Sequence, residues 1–173
     1  MRVIAVVEQP GGPVRAALQA AVGPKALVTA PCETPPPYDV VVWAQNPCPP
    51  QTMSLSARAL TVCGENAGPA LEHCRCDMVV TYGFSVRDTL TPSATLGEGR
   101  VVSLQRGLMT LDGRSVEPME VPVGHLCGDM ETRMAVAAVC LLLGAEQQKM
   151  NPTLATFPYH KKPLARHTKN TIS

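Results

Sequence analysis

The residues of this chain able to do chemistry stand in short turns that follow apolar runs. Glu8 closes the run Arg2–Glu8 and leads into Gln9-Pro10-Gly11-Gly12-Pro13. Gln45 and Asn46 follow the run from Tyr38 to Ala44. Glu65 and Asn66 stand between Gly64 and Gly68, after the run from Ala59 to Cys63. Ser85 and Arg87 follow the run from Met78 to Tyr82. In an open parallel sheet, ligands sit outside the carboxyl ends of the strands. Carboxylates, amides and a guanidinium at those ends suit a small polar group, nucleotide-like or peptide-like. His125 stands ahead of the last apolar segment. The candidate ligand residues are therefore Glu8, Asn46, Glu65, Asn66, Arg87 and His125.

Other groupings carry less. His73-Cys74-Arg75-Cys76, with Cys48 and Cys63 nearby, has Cys-x-Cys spacing rather than the Cys-x₂-Cys of zinc knuckles, so no metal is expected. His125-x-Cys127 offers a base and a thiol but no third orienting group, so no catalytic residue is assigned. Glu117, Glu120, Asp129 and Glu131 straddle a strand and a helix start, and the positive end of the helix accounts for Glu131.

The elements that must position these residues follow from patterning. With 173 residues, 45% hydrophobic and 17% charged, the chain is long and apolar enough for one packed core. Aromatics at 3% leave that core to Val, Leu, Ala and Met. A formal net charge of +1 gives no global pull toward nucleic acid. No stretch reaches the ~18–20 apolar residues that cross a bilayer, and MRVIAVVEQ is too short for a signal-peptide core. Seven cysteines scattered through apolar segments look like reduced core thiols, which points to the cytoplasm.

Arg2–Glu8, Lys25–Thr29, Tyr38–Ala44, Ala59–Cys63 and Met78–Tyr82 are expected strands. Pro13 at a first helical position, then Val14, Ala17, Leu18, Ala21 and Val22, predicts a helix. Short helices are expected over Thr52–Arg58 and around Ala70–Arg75. A β-meander is expected over Arg100–Arg106, Leu108–Leu111 and Ser115–Val123, with Asp112-Gly113 as a hairpin turn. Asp129 then caps a buried helix reaching Leu143 and closed by Gly144. Together these give an α/β domain over residues 1–150: a mostly parallel Rossmann-like sheet flanked by helices, with the meander inserted before the last helix. Residues 151–173 form a basic tail, expected to be flexible, with Lys161, Lys162, Arg166, His167 and Lys169.

Three stretches resemble the central domain of the Mur ligases, the ATP-dependent amino-acid ligases of peptidoglycan synthesis. LTVCGENAG is similar to that family's strand and Asn/Asp-rich turn. DMVVTYGFS is similar to its strand ending in Tyr/Phe-Gly, and MEVPVGHLCGDMETRMAVAAVCLLLG to its glycine-histidine turn and alanine-rich helix. The likeness is strongest over residues 59–144, and it implies a bacterial, cell-wall setting.

The chain departs from the family where nucleotide chemistry sits. The Gly-Lys-Thr phosphate loop is replaced by Glu8-Gln9-Pro10-Gly11-Gly12-Pro13-Val14-Arg15, with no Lys, Ser or Thr. Pro10 and Pro13 remove N–H donors, and Glu8 repels phosphate. The asparagines before the alanine-rich run correspond to Glu131 and Met134, and the family's carbamylated lysine and C-terminal domain have no counterpart. The resemblance therefore implies a non-catalytic binding or assembly module without a cofactor. Its partner would be another protein or a small peptidoglycan-precursor-like ligand. The alternatives are an enzyme of acyl or amide transfer that uses the strand-end crevice without a P-loop, and a structural subunit of a larger complex.

Overall fold

The computed structural model describes residues 1–44, 47, 54–93 and 101–144. The candidate Asn46 lies outside these residues, as do Gln45, Cys48, Thr52, Met53, Arg100, residues 145–150 and the basic segment 151–173.

The apolar runs form strands β1 (Arg2–Val7), β2 (Ala26–Thr29), β3 (Tyr38–Trp43), β4 (Leu55–Cys63), β5 (Cys74–Tyr82), β6 (Leu90–Pro92), β7 (Val101–Leu104), β8 (Leu108–Met109), β9 (Ser115–Val116) and β10 (Met119–Pro122). The helices are α1 (Pro13–Val22), α2 (Ala67–His73) and α3 (Met130–Leu142). Eight strands make one sheet in the order β10-β7-β6-β5-β4-β3-β1-β2. From β2 to β6 every neighbouring pair is parallel, and β7 and β10 add antiparallel strands at the far edge. The chain is thus an α/β, mostly parallel, Rossmann-like domain. Its strand order reverses between β1 and β3, which opens a crevice beyond Val7 and Trp43.

Right-handed crossovers leaving in opposite directions place their helices on opposite faces of the sheet. Val14, Ala17, Leu18 and Val22 of α1 share a core with Ile4, Val6, Val40 and Val42. Ala70 of α2 joins Ala5, Val7, Val41, Trp43 and Leu60 in the second core. Helix α3 lies on the α1 face against the central strands, and every residue from Met134 to Leu142 is buried. Asp129 caps it by accepting from the Thr132 amide at 2.8 Å.

The opposite end of the sheet carries one concerted irregularity. The β3–β4–β5 ladder passes through Tyr38, Ala57 and Cys76, skips Asp39, Arg58 and Asp77, and resumes at Val40, Ala59 and Met78. Side-chain parity changes across this level: the first three pack with the α2 core, the last three with the α1–α3 core. Asp39 supplies an acceptor at the break, taking the Val3 amide at 2.8 Å and the Arg2 guanidinium at 2.8 Å. Arg58 lies 3.8 Å from the same carboxylate and donates to the Leu111 carbonyl at 2.6 Å. Arg2 also binds Asp112 in the β8–β9 turn.

Three expected elements differ in the structure, and β6 was not expected. Leu55 to Arg58 is strand, not the end of a helix. Its residues alternate buried and exposed, and β3 and β5 hold it from both sides. Cys74 and Arg75 open β5 rather than ending a helix, because a nine-residue β4 gives them partners in Leu55 and Ser56. The region expected as a meander divides: β7 and β10 extend the main sheet, and β8 and β9 form a separate hairpin around Asp112-Gly113.

On β4, the Thr61 hydroxyl is fully buried and has no hydrogen-bond partner among the described residues. Such a group costs about 1–3 kcal/mol of desolvation. Thr61→Val is expected to stabilise the fold by about 1 kcal/mol, read as a higher urea midpoint at unchanged slope. A lower midpoint would show that the hydroxyl is satisfied in solution.

Candidate functional site

At the end of β1, the chain turns through Pro10-Gly11-Gly12 and brings the Glu8 carboxylate back onto the start of α1. Glu8 Oε2 accepts the Val14 amide at 2.9 Å and Oε1 accepts the Arg15 amide at 3.1 Å. The first turn of α1 has no acidic residue of its own, so Glu8 supplies the negative charge that the helix end favours. A Cβ on Gly12 would overlap Glu8 Oε2, which explains glycine there. Arg15 turns away and pairs with Glu33 at 3.1 Å. Glu33 is held below the usual carboxyl range by the Ala30 amide first, then by Thr29 and Arg15. A crevice of about 630 Å³ lies between these groups and the end of β2, with Glu8, Arg15, Cys32 and Glu33 in its walls.

Beyond β1 and β3 lies a smaller crevice of about 150 Å³, lined by Glu8, Ala44, Tyr82, Asp129 and Glu131 among others. The N-termini of α1 and α3 both meet it, and each is already capped by a carboxylate of the chain. The buried Tyr82 hydroxyl donates to the Trp43 carbonyl at 3.3 Å, and burial raises its pKa.

A third crevice, about 520 Å³, opens beyond β4 and β5. Its walls include Glu65, Asp88, Glu131, Arg87, Ser85 and Cys63. Asp88 is only 5% exposed, although it belongs to a surface turn. Its Oδ2 accepts the Ser85 amide at 3.0 Å. The carboxylate sits against two strand ends: a Cβ on Gly64 would overlap Oδ1, and one on Gly83 would stand 2.6 Å from Oδ2. Glycine at both positions lets the backbone close on the acid. Partial burial raises the pKa of Glu131, and the Asp129 and Glu65 charges add to the rise. Burial likewise raises the Cys63 thiol.

Of the sequence candidates, Glu65 and Arg87 meet in this third crevice, while Glu8 belongs to the other two. Asn66 and His125 line none of the three. His125 is exposed, and desolvation lowers its imidazole pKa. Sequence reasoning missed Asp88 and credited Glu131 only to its helix. The signal that could have found Asp88 is the glycine at the end of each neighbouring strand, Gly64 and Gly83. The Cys74 thiol is buried and pushed up to about 12, that of an inert core residue. Among the described residues, no group of three or more His, Cys, Asp or Glu is arranged to hold a metal ion. No described helix is long and apolar enough to cross a membrane.

Two substitutions test this geometry. Gly64→Ala is expected to cost about 1–3 kcal/mol by driving the strand end off Asp88, whereas Gly68→Ala, with open space around it, should be neutral or gain up to about 1 kcal/mol in α2. Equal effects in chemical denaturation would remove the case for a clasped Asp88. Glu131 tests the electrostatics. Its folded pKa lies above 4.5, so ionisation costs stability at neutral pH, and that cost disappears as pH falls through the folded value. Glu131→Gln should therefore raise Tm at pH 7 by about 1–3 °C, with the difference from wild type shrinking toward pH 4.

Comparison of the chain with protein-family models, with curated proteins and with solved structures gives no match in any of the three.

Proposed function

We propose that this chain is a Mur-ligase-like binding module without nucleotide chemistry, serving bacterial cell-wall precursor metabolism in the cytoplasm. Its ligand is a small peptide-like precursor or a protein partner. The observation that carries the nucleotide-free part of this proposal is the Glu8 carboxylate on the Val14 and Arg15 amides. Those donors are the ones a phosphate would use at a helix N-terminus. They are taken by an anion tethered to the same turn, and that anion also repels a second one. Arg15, the nearest cation in sequence, is committed to Glu33. Pro10 and Pro13 offer no N–H to replace what Glu8 consumes.

The alternative of acyl or amide transfer needs Glu65, Asn66 and His125 around one crevice. Glu65 alone of the three lines the β4–β5 crevice, so the module receives the better support.

Two measurements check the proposal. Millimolar Mg-ATP should leave Tm unchanged, whereas a ligand at ~100 times its Kd adds about 2.7 kcal/mol to a native state that binds it. A clear Tm rise would defeat the claim that the loop has lost nucleotide. Glu8→Ala should cost about 1 kcal/mol by uncapping α1, an effect absent if the Glu8 contacts do not form in solution.

A further inference from the structure

The crevice of about 630 Å³ beyond the ends of β1 and β2 is within the size range of small-molecule sites. Val7, Pro10, Ala16, Val28 and Pro31 give it apolar walls. Its charges are matched from within: Arg15 meets Glu33, and the start of α1 meets Glu8. An apolar crevice without an unmatched charge suits an uncharged ligand.

Hydrogen-bonding capacity is left over at its mouth. Glu33, on the turn that leaves β2, is held in place by the chain. Its Oε2 accepts the Thr29 hydroxyl at 3.2 Å and the Ala30 amide at 3.1 Å, and its Oε1 accepts the Arg15 guanidinium at 3.1 Å. A carboxylate carries about four acceptor sites and a guanidinium about five donors. Among the described residues, Oε1 therefore keeps an acceptor site, and Arg15 keeps all its side-chain donors but the one given to Glu33. The two side chains are 47% and 55% exposed, so a fixed acceptor and free donors stand together where a ligand reaches them. A vicinal diol matches this pair without carrying charge. One hydroxyl donates to Glu33, and its neighbour accepts from Arg15.

The position along the chain says which diol fits. In parallel β-α-β units that bind nucleotides, an acid about 20 residues beyond the glycine turn takes the ribose hydroxyls, while the turn holds phosphate. Glu33 stands at that distance beyond Gly11-Gly12, after the parallel pair β1 and β2. The phosphate half of such a site is closed here, because Glu8 lines the same crevice and occupies the amides of Val14 and Arg15.

We propose that the β1–β2 crevice binds an uncharged ribonucleoside, with its ribose diol on Glu33 and Arg15 and its base against Val28 and Pro31. A phosphate on the ligand weakens binding, since Glu8 meets it. This goes beyond the binding-module proposal by naming a ligand class for one crevice, and it rests on that proposal only for the helix end closed to phosphate.

The test is titration of the full-length, ¹⁵N-labelled chain with adenosine, followed by amide chemical shifts. Saturable shifts at Gly11, Gly12, Ala30, Cys32 and Glu33, with Kd on the order of 1 mM, are expected. Deoxyadenosine, which lacks one hydroxyl of the diol, and adenosine monophosphate should each bind at least about tenfold more weakly. Glu33→Gln should weaken adenosine by about tenfold while the α3 resonances stay in place. Arg15→Gln, a change on the exposed side of α1, should weaken it several-fold and decides the matter if Glu33→Gln does not fold. Non-saturating shifts to about 10 mM, or saturable shifts confined to other amides, would overturn the site. So would equal affinity for deoxyadenosine or the monophosphate, or unchanged affinity in Arg15→Gln. The Mg-ATP measurement separates this failure from failure of the earlier proposal. No adenosine binding with no effect of Mg-ATP removes the nucleoside site alone, whereas a Tm rise with Mg-ATP removes the closed helix end.

Discussion

The fold at the carboxyl end of the sheet rests on one intramolecular contact, the Glu8 carboxylate on the first free amides of α1. A helix N-terminus must satisfy its orphan donors, and a strand–turn–helix unit normally leaves them facing the crevice beyond the sheet. Here the strand's last side chain reaches back over a turn short enough to return it. Gly12 is bare because the carboxylate fills the place of its Cβ, and the Arg15 guanidinium pairs with Glu33. The helix end that could recruit phosphate is closed by this cap.

A second carboxylate does related work at the other end of the sheet. Where β3, β4 and β5 break their ladder together, Asp39 replaces the missing acceptor for β1 and gathers Arg2 and Arg58. Those arginines bind the β8–β9 hairpin, whose Leu111 amide donates to the Leu142 carbonyl at the end of α3 at 2.8 Å. The parity change that the break produces turns Tyr38 and Leu55 toward the face of α2, a helix of seven residues that could not cover a sheet alone. The two ends thus divide the labour: basic side chains anchor one, and acids shape the other.

How much of this could be read from sequence depends on the range of the interaction. Val14, Ala17, Leu18 and Val22 repeat at helical spacing, so α1 was legible, as were the Asp129 cap and the apolar strands. Leu55 to Arg58 was not, because Ser-Ala-Arg favours helix locally and only pairing with two distant strands overrides it. The three-residue β6 is too short to show any period. Glu8 was recognised as an obstacle to phosphate, yet its hydrogen bonds six and seven residues away depend on how Pro10-Gly11-Gly12 bends. Asp88 looks like an ordinary loop acid, and only the side-by-side placement of Gly64 and Gly83 buries it.

These internal caps also decide the electrostatics that a ligand meets. The whole chain is close to neutral, at +1, but charge acts over about 10 Å at physiological salt, so local distribution matters more than the sum. Two helix N-termini would ordinarily lend positive potential to the crevices beyond the strands. Both are neutralised from within, and Glu65, Asp88 and Glu131 then face solvent-filled space with little to oppose them except Arg87 at the rim. An α/β sheet of this order can therefore keep its crevices while its helix N-termini are closed to anions. That needs only a carboxylate where a phosphate-binding loop needs donors and a cation, because backbone geometry places the helix ends and side chains choose what meets them.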